Sequence, residues 1–194
     1  MRACCLVALA AIGCATAGNA PSSDGPPSHD APHVYLDAAT DAPRSIDAPL
    51  QSMCTSAATC ATATALGSVS GDTGNDQVQA TGYQHAWFSV RVTENDSGIF
   101  GVPMNVTVQL TSPAGVNYDV YLYVNTGSDV LDCTTVSTSS TSTSTFDSAH
   151  LQWGETGTFA NNSDDSRTLS IEVRPVSGTC APGSTYKLVV LGDV

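Results

Sequence analysis

Basic side chains are scarce in this chain. Lys and Arg together number 6 against 18 Asp and Glu in 194 residues, and Lys187 is the single lysine. The net charge of −12 excludes a nucleic-acid partner, because phosphate backbones are held by basic patches. It also removes electrostatic docking on anionic lipid. Charged residues of both signs reach only 12% and aromatics 6%, so the acidic excess serves solubility or cation binding. No run approaches the roughly 20 apolar residues of a membrane-spanning helix. There is no H-E-x-x-H, no G-x-S-x-G elbow and no phosphate-cradling glycine loop. These absences leave an enzyme without a visible centre and favour a non-catalytic role.

The amino terminus reads as an address. Met1-Arg2 precedes an apolar run, Ala3 to Ile12, of about ten residues, the length of a signal-peptide core. It ends in Ala11-Ile12-Gly13-Cys14, which resembles a bacterial lipobox with Cys14 as the lipidated residue. Residues 1–13 are then the signal peptide, and a lipid anchor in the outer membrane or at the cell surface is the expected location. The rival is Ala15-Thr16-Ala17, an A-x-A cleavage site that would discard Cys14 and secrete the protein freely. Residues 14–52 form a Pro/Ala/Ser/Asp-rich linker with recurring Asp-Ala at 30–31, 37–38, 41–42 and 47–48. Such a composition offers no core and predicts a disordered tether.

Residues 53–194 read as one all-β domain, an antiparallel sandwich of about seven or eight strands. Met104, Val106, Val108 and Leu110 alternate with Asn105, Thr107, Gln109 and Thr111, the period of a half-buried strand. Ser112-Pro113-Ala114-Gly115 supplies a turn, and Tyr118 to Val124 reads as a strand apolar on both faces. Further strands are expected at Ala65–Ser70, His85–Val92, Val130–Cys133, Ala149–Trp153, around Leu169-Ser170-Ile171-Glu172-Val173, and at Tyr186–Leu191. Gly71–Gly82 is expected to be a polar loop. Thr134–Thr145, all Ser and Thr apart from Val136, is expected to be a surface loop, with an edge strand or an O-glycosylated tract as alternatives. Cys54, Cys60, Cys133 and Cys180 form an even set in an exported segment and predict two disulfides. The short loop between Cys54 and Cys60 favours pairing those two, leaving Cys133 with Cys180.

Three stretches carry a family resemblance: Leu66-Gly67-Ser68-Val69-Ser70-Gly71-Asp72, Trp87-Phe88-Ser89-Val90, and Pro113-Ala114-Gly115-Val116-Asn117-Tyr118-Asp119-Val120-Tyr121-Leu122-Tyr123. With the closing Tyr186-Lys187-Leu188-Val189-Val190 they resemble the bacterial pre-peptidase C-terminal domain over about Ala65 to Val190. The resemblance implies a jelly-roll-type sandwich appended to secreted proteases, non-catalytic, in some members binding calcium, collagen or another extracellular polymer. The segments Ser137–Thr145 and Gly154–Arg167 are additions to that pattern.

Candidate chemistry is correspondingly thin. A Ser–His–Asp set drawn from His150 and Asp147 lacks a nucleophile context, and Glu155 after Trp153-Gly154 has no carboxylate partner for glycoside hydrolysis. No cofactor is required. Calcium is the one ion whose needs fit, since it takes six to eight hard oxygen ligands from loops. Asp72, Asn75 and Asp76 lie in one loop, Asn117 and Asp119 beside another, and Asp164 with Asp165 in a third. Two such clusters meeting at one end of a sandwich would share an ion. Trp87 and Tyr121, with Tyr83, are the candidate outward aromatics for binding an extracellular protein or polysaccharide. The expectation is therefore a lipid-anchored, non-catalytic binding module. A secreted hydrolase with an unfamiliar site and a purely structural envelope spacer are the alternatives.

Overall fold

The computed structural model describes Cys54–Phe159, Asn161 and Ser163–Val194. The signal peptide, Cys14 and the linker lie outside these residues. The chain forms β1 (Thr64–Ser70), β2 (Gln77–Gly82), β3 (Ala86–Thr93), β4 (Phe100–Gly101), β5 (Met104–Thr111), β6 (Asn117–Tyr123), β7 (Thr138–Ser140), β8 (Phe146–Trp153), β9 (Gly157–Thr158), β10 (Arg167–Ser177) and β11 (Tyr186–Gly192). A 3₁₀ turn, Cys60–Thr62, precedes them. The strands build a five-stranded sheet in the order β1-β3-β10-β6-β7 facing a four-stranded sheet in the order β2-β11-β5-β8, with β4 and β9 as a small separate ribbon.

Alternation decides what lies between the sheets. Phe88, Val90 and Val92 of β3, Leu169, Ile171 and Val173 of β10, and Tyr118, Val120 and Leu122 of β6 point inward from one sheet. Met104, Val106, Val108 and Leu110 of β5, with Leu188 and Val190 of β11, meet them from the other, all of these β5 and β11 residues at 0% exposure. Each such side chain contributes about 1.5–3 kcal/mol through burial. The turn between β5 and β6 is closed by the Val116 N–H donating to Pro113 O, with Gly115 at φ +79°, a conformation that strains an L side chain.

The antiparallel sandwich stands, and among the described residues β1 with β3 is its one parallel pairing. Several expectations are corrected. Residues 77–82 of the expected polar loop form β2, an edge strand whose half-buried Val78 and Ala80 alternate with exposed Gln77, Gln79 and Thr81. An edge strand needs few apolar residues, so its signal was weak. The expected strand at Val130–Cys133 is absent, and Val130 is 65% exposed. Part of the Ser/Thr tract is β7, paired to β6, as in the edge-strand alternative.

The disulfide pairing is also different: Cys54 joins Cys180 and Cys60 joins Cys133. Cys54 O accepts the His85 N–H near the start of β3, on the side reached by the β10–β11 connection that carries Cys180. Cys60 sits over the five-stranded sheet, its sulfur 3.5 Å from Ser170 Oγ and 3.7 Å from the carbonyl of Asp132, next to Cys133. The segment between Cys54 and Cys60 thus crosses the sheet rather than closing on itself.

Candidate binding face

The ladder of the five-stranded sheet fixes what stands side by side on its outer face. Glu172 of β10 pairs with Trp87 of β3 on one side and with Tyr121 of β6 on the other. One step along, Arg174 pairs with Asp119. Tyr123 follows Tyr121 on the same face of β6, and His85 precedes Trp87. Residues two apart share a face, so the outer side of β3, β10 and β6 carries Trp87, Tyr121, Tyr123, Glu172, Arg174, His85 and Asp119. Of these, Tyr123, Glu172 and Asp119 are buried, and Trp87, Tyr121, His85 and Arg174 reach solvent.

These side chains hold one another. The Trp87 and Tyr123 rings lie 5.1 Å apart, tilted by 36°. The Arg174 guanidinium stands 3.9 Å over the Tyr121 ring, a cation–π contact. Glu172, 6% exposed, accepts hydrogen bonds from the Tyr123 hydroxyl and from Arg174 Nη2, both at 2.6 Å, and pairs with His85 Nε2 at 2.8 Å. Burial pushes the Glu172 carboxyl up, but the bonds from Arg174, Tyr123 and His85 outweigh it and hold it below its usual value. Burial and the neighbouring Glu172 carboxylate push the Tyr123 hydroxyl well above its ordinary range. Trp87 and Tyr121 remain half-buried, and the Arg174 side chain is 42% exposed.

Beside this field lies a set of acceptors without donors. Asp119 Oδ1 and Asn117 Oδ1 are buried and take no hydrogen bond. Asp119 Oδ2 is held by the Tyr121 hydroxyl at 3.4 Å, a long bond. Burial first, and then the charge of Asp147, raise the Asp119 carboxyl above its ordinary value. Asp147 faces inward from β8 at 1% exposure, its Oδ1 accepting from Ser140 Oγ and the Ser142 N–H. His150 falls on the opposite, exposed face of β8 across from Thr107. Asp147 and His150 therefore do not form a catalytic pair.

The oxygen-rich loops divide between the two ends of β5. Asp72 lies at the end where Met104 begins the strand, as the Asn105 N–H bond to Gly71 O shows. Asn117 and Asp119 follow the turn after Thr111, some 20 Å or more along the strand. The Asp72 and Asn117 clusters therefore cannot share an ion. Asp72 accepts the N–H groups of Asn95 and Asp96 and the Ser70 hydroxyl. Asp76 accepts the Ser70 N–H at 3.4 Å, and Asn75 is exposed.

The third cluster does join Asp72, through a residue the sequence left unnamed. Glu94 Oε2 accepts the Asp165 N–H at 2.6 Å. Burial raises the Glu94 carboxyl, and the charges of Asp165, Asp164 and Asp72 raise it further. Beside it, Glu94, Asn95, Asp96, Asn161, Ser163 and Asp164 line an open cleft of about 340 Å³. Among the described residues, no group of three or more His, Cys, Asp or Glu side chains comes close enough to hold a metal ion. Glu155 stands nearby, accepting the Ser163 N–H. Among the described residues, no helix is long and apolar enough to cross a membrane.

Glu172, Arg174 and Tyr123 were missed as site residues. Their signal was present: an acid and an arginine two apart on a strand whose other face is Leu169, Ile171 and Val173. What it lacked was a neighbour, since only the ladder sets β10 between Trp87 and Tyr121.

Fold and face define a disulfide-linked, all-β sandwich domain with a polar and aromatic outer sheet. No family model matches the chain, and no curated protein matches it. Among solved structures, it is similar to the crystal structure of the pre-peptidase C-terminal domain of a collagenase from Bacillus anthracis. The two are 10% identical with a TM-score of 0.37, over 66% of this chain and 95% of that one.

Proposed function

We propose that the domain is a non-catalytic binding module that presents its outer five-stranded face to an extracellular protein or polymer. The observation that supports this reading is the cross-strand row Trp87–Glu172–Tyr121, which sets two half-buried aromatics on either side of a fully bonded carboxylate, with Arg174 stacked beside them. Aromatic rings and a guanidinium already fixed by their neighbours lose little freedom when a ligand settles on them. A pull-down from native envelope and extracellular material with the intact domain tests it. Recovery of one protein or polymer, lost in Trp87→Ala and Tyr121→Ala variants that still fold, is the expected result. Recovery unchanged in both variants would defeat the reading.

The module is held at the cell envelope through Cys14, in this proposal, with residues 14–52 as its tether. Fatty-acid labelling of the full chain, abolished by Cys14→Ser, is the expected outcome. An unlabelled protein beginning at Gly18 would show free secretion instead.

A second reading concerns calcium and rests on the acidic end. Burial is the main cause that raises the Glu94 carboxyl, and the charges of Asp165, Asp164 and Asp72 add to it. A divalent cation would relieve that added repulsion by drawing these acids together, since no three of them stand close enough to hold it as they are. Millimolar calcium should then raise the unfolding temperature and chelator should reverse it, with the rise lost in Glu94→Gln. No shift in either direction rules calcium out.

A further inference from the structure

The outer face also narrows the chemistry of its ligand. Glu172 spends both oxygens on Tyr123, Arg174 and His85, so the central carboxylate has no charge to offer a cation. The Arg174 charge is in turn matched by Glu172. Paired charges give a polyanion no net attraction, and the chain's net charge of −12 opposes one. What remains unspent is of two kinds. Among the described residues, the hydrogen bonds of Arg174 all leave from Nη2, which leaves its Nε–H and Nη1 hydrogens as donors on a side chain 42% exposed. Directly across the ladder, Asp119 Oδ1 is an acceptor without a donor, and Asn117 Oδ1 on the same face is another. Both acceptors are buried, and a ligand reaches Asp119 only if its carboxyl turns outward at the cost of the long 3.4 Å bond from Tyr121 to Oδ2.

A ligand that answers both kinds must donate and accept from one small group. A hydroxyl does this from a single atom, whereas an amide needs its separate N–H and C=O, a carboxylate or sulfate only accepts, and an ammonium only donates. The flanking rings, Trp87 and the Arg174-capped Tyr121, supply partly exposed apolar surface for C–H groups, two strand spacings, about 10 Å, apart. We propose that this face takes a neutral, hydroxyl-rich polysaccharide, laid across Trp87 and Tyr121 with adjacent hydroxyls on Arg174 and Asp119. The proposal rests on the binding-face reading above and goes further in naming the ligand class.

Native affinity electrophoresis of the intact domain tests it, in gels containing dextran, a soluble β-1,3-glucan or mannan, with heparin and gelatin gels in parallel. At least one neutral polysaccharide should retard the domain, and added salt should not release it. Trp87→Ala and Tyr121→Ala, checked for folding by circular dichroism, should each weaken retardation about tenfold, near 1.4 kcal/mol. Tyr121→Phe, which keeps the ring, should lose less. Retardation by heparin alone overturns the sugar assignment. So does retardation by gelatin alone; if the same variants abolish it, the binding face survives with a protein ligand. Retardation by none of these polymers, or retardation that both alanine variants retain, overturns the sugar assignment and the face together.

Discussion

Replacing Glu172 by Gln would isolate what its charge contributes. The carboxylate is 6% exposed and joins three partners at 2.6, 2.6 and 2.8 Å. Glutamine keeps the shape, so no cavity forms; its oxygen can keep Tyr123 and Arg174, and its NH2 can donate to His85 Nε2 in the Nδ1–H tautomer. What disappears is the charge-assisted part of bonds that, to an ion, are worth about 1.5–3 kcal/mol each. The exposed side of Arg174 recovers some of this from water. A net loss of about 1–2 kcal/mol at neutral pH follows, or roughly 3–8 °C in unfolding temperature for a domain of this size. The pH dependence is the sharper test. The folded carboxyl sits below its usual value of 4.5, so at neutral pH it is ionised in both folded and unfolded chains and its stabilisation is complete. As pH falls below about 4.5 the unfolded chain takes up the proton first, and the wild-type advantage is lost through the lower folded value. Urea unfolding of both proteins from pH 7 to pH 3 should therefore show a gap that closes on the acid side. A gap of the same size throughout, or none at pH 7, would refute the reasoning.

Other outcomes follow from the same geometry. Non-reducing peptide mapping should recover Cys54 linked to Cys180 and Cys60 to Cys133. Removing the first pair should cost about 0.5 kcal/mol more than removing the second on the chain-entropy model, the loops spanning 126 and 73 residues; a Cys54–Cys60 peptide would contradict the fold. Gly192→Ala should destabilise the domain by several kcal/mol, on the order of a severe overpacking change, because its Cβ would run into the backbone carbonyl of Ser70. Circular dichroism melting checks this, and an unchanged midpoint would mean that β11 does not close against β1. Asp147→Ala should cost about 1–3 kcal/mol and speed amide exchange over residues 138–145, since Asp147 ties Ser140 and Ser142 to β8. Unaltered exchange there would show the tract held by the β7 ladder alone.

The core was legible in the sequence because burial here follows strict period-two alternation. Met104, Val106, Val108 and Leu110 were expected on the buried face, and each is at 0% exposure. Where alternation was faint, as at Gln77–Gly82, or carried no apolar face at all, as at Thr138–Ser140, the strand became visible only through its partner. Trp87 and Tyr121 could be named as outward aromatics from parity alone. That they flank Glu172 depends on β10 entering the sheet between β3 and β6, a contact between residues far apart in sequence.

The sequence by itself determined the all-β class, the inward residues of the long strands, the acidic character and the expectation of two disulfides, since each depends on local pattern or composition. The tertiary structure decided which cysteines pair, which acids share an end of the sandwich, and which polar side chains stand in one row. Those are questions of strand order and register. A local pattern states which face a residue occupies, while only the assembled sheets state what it faces.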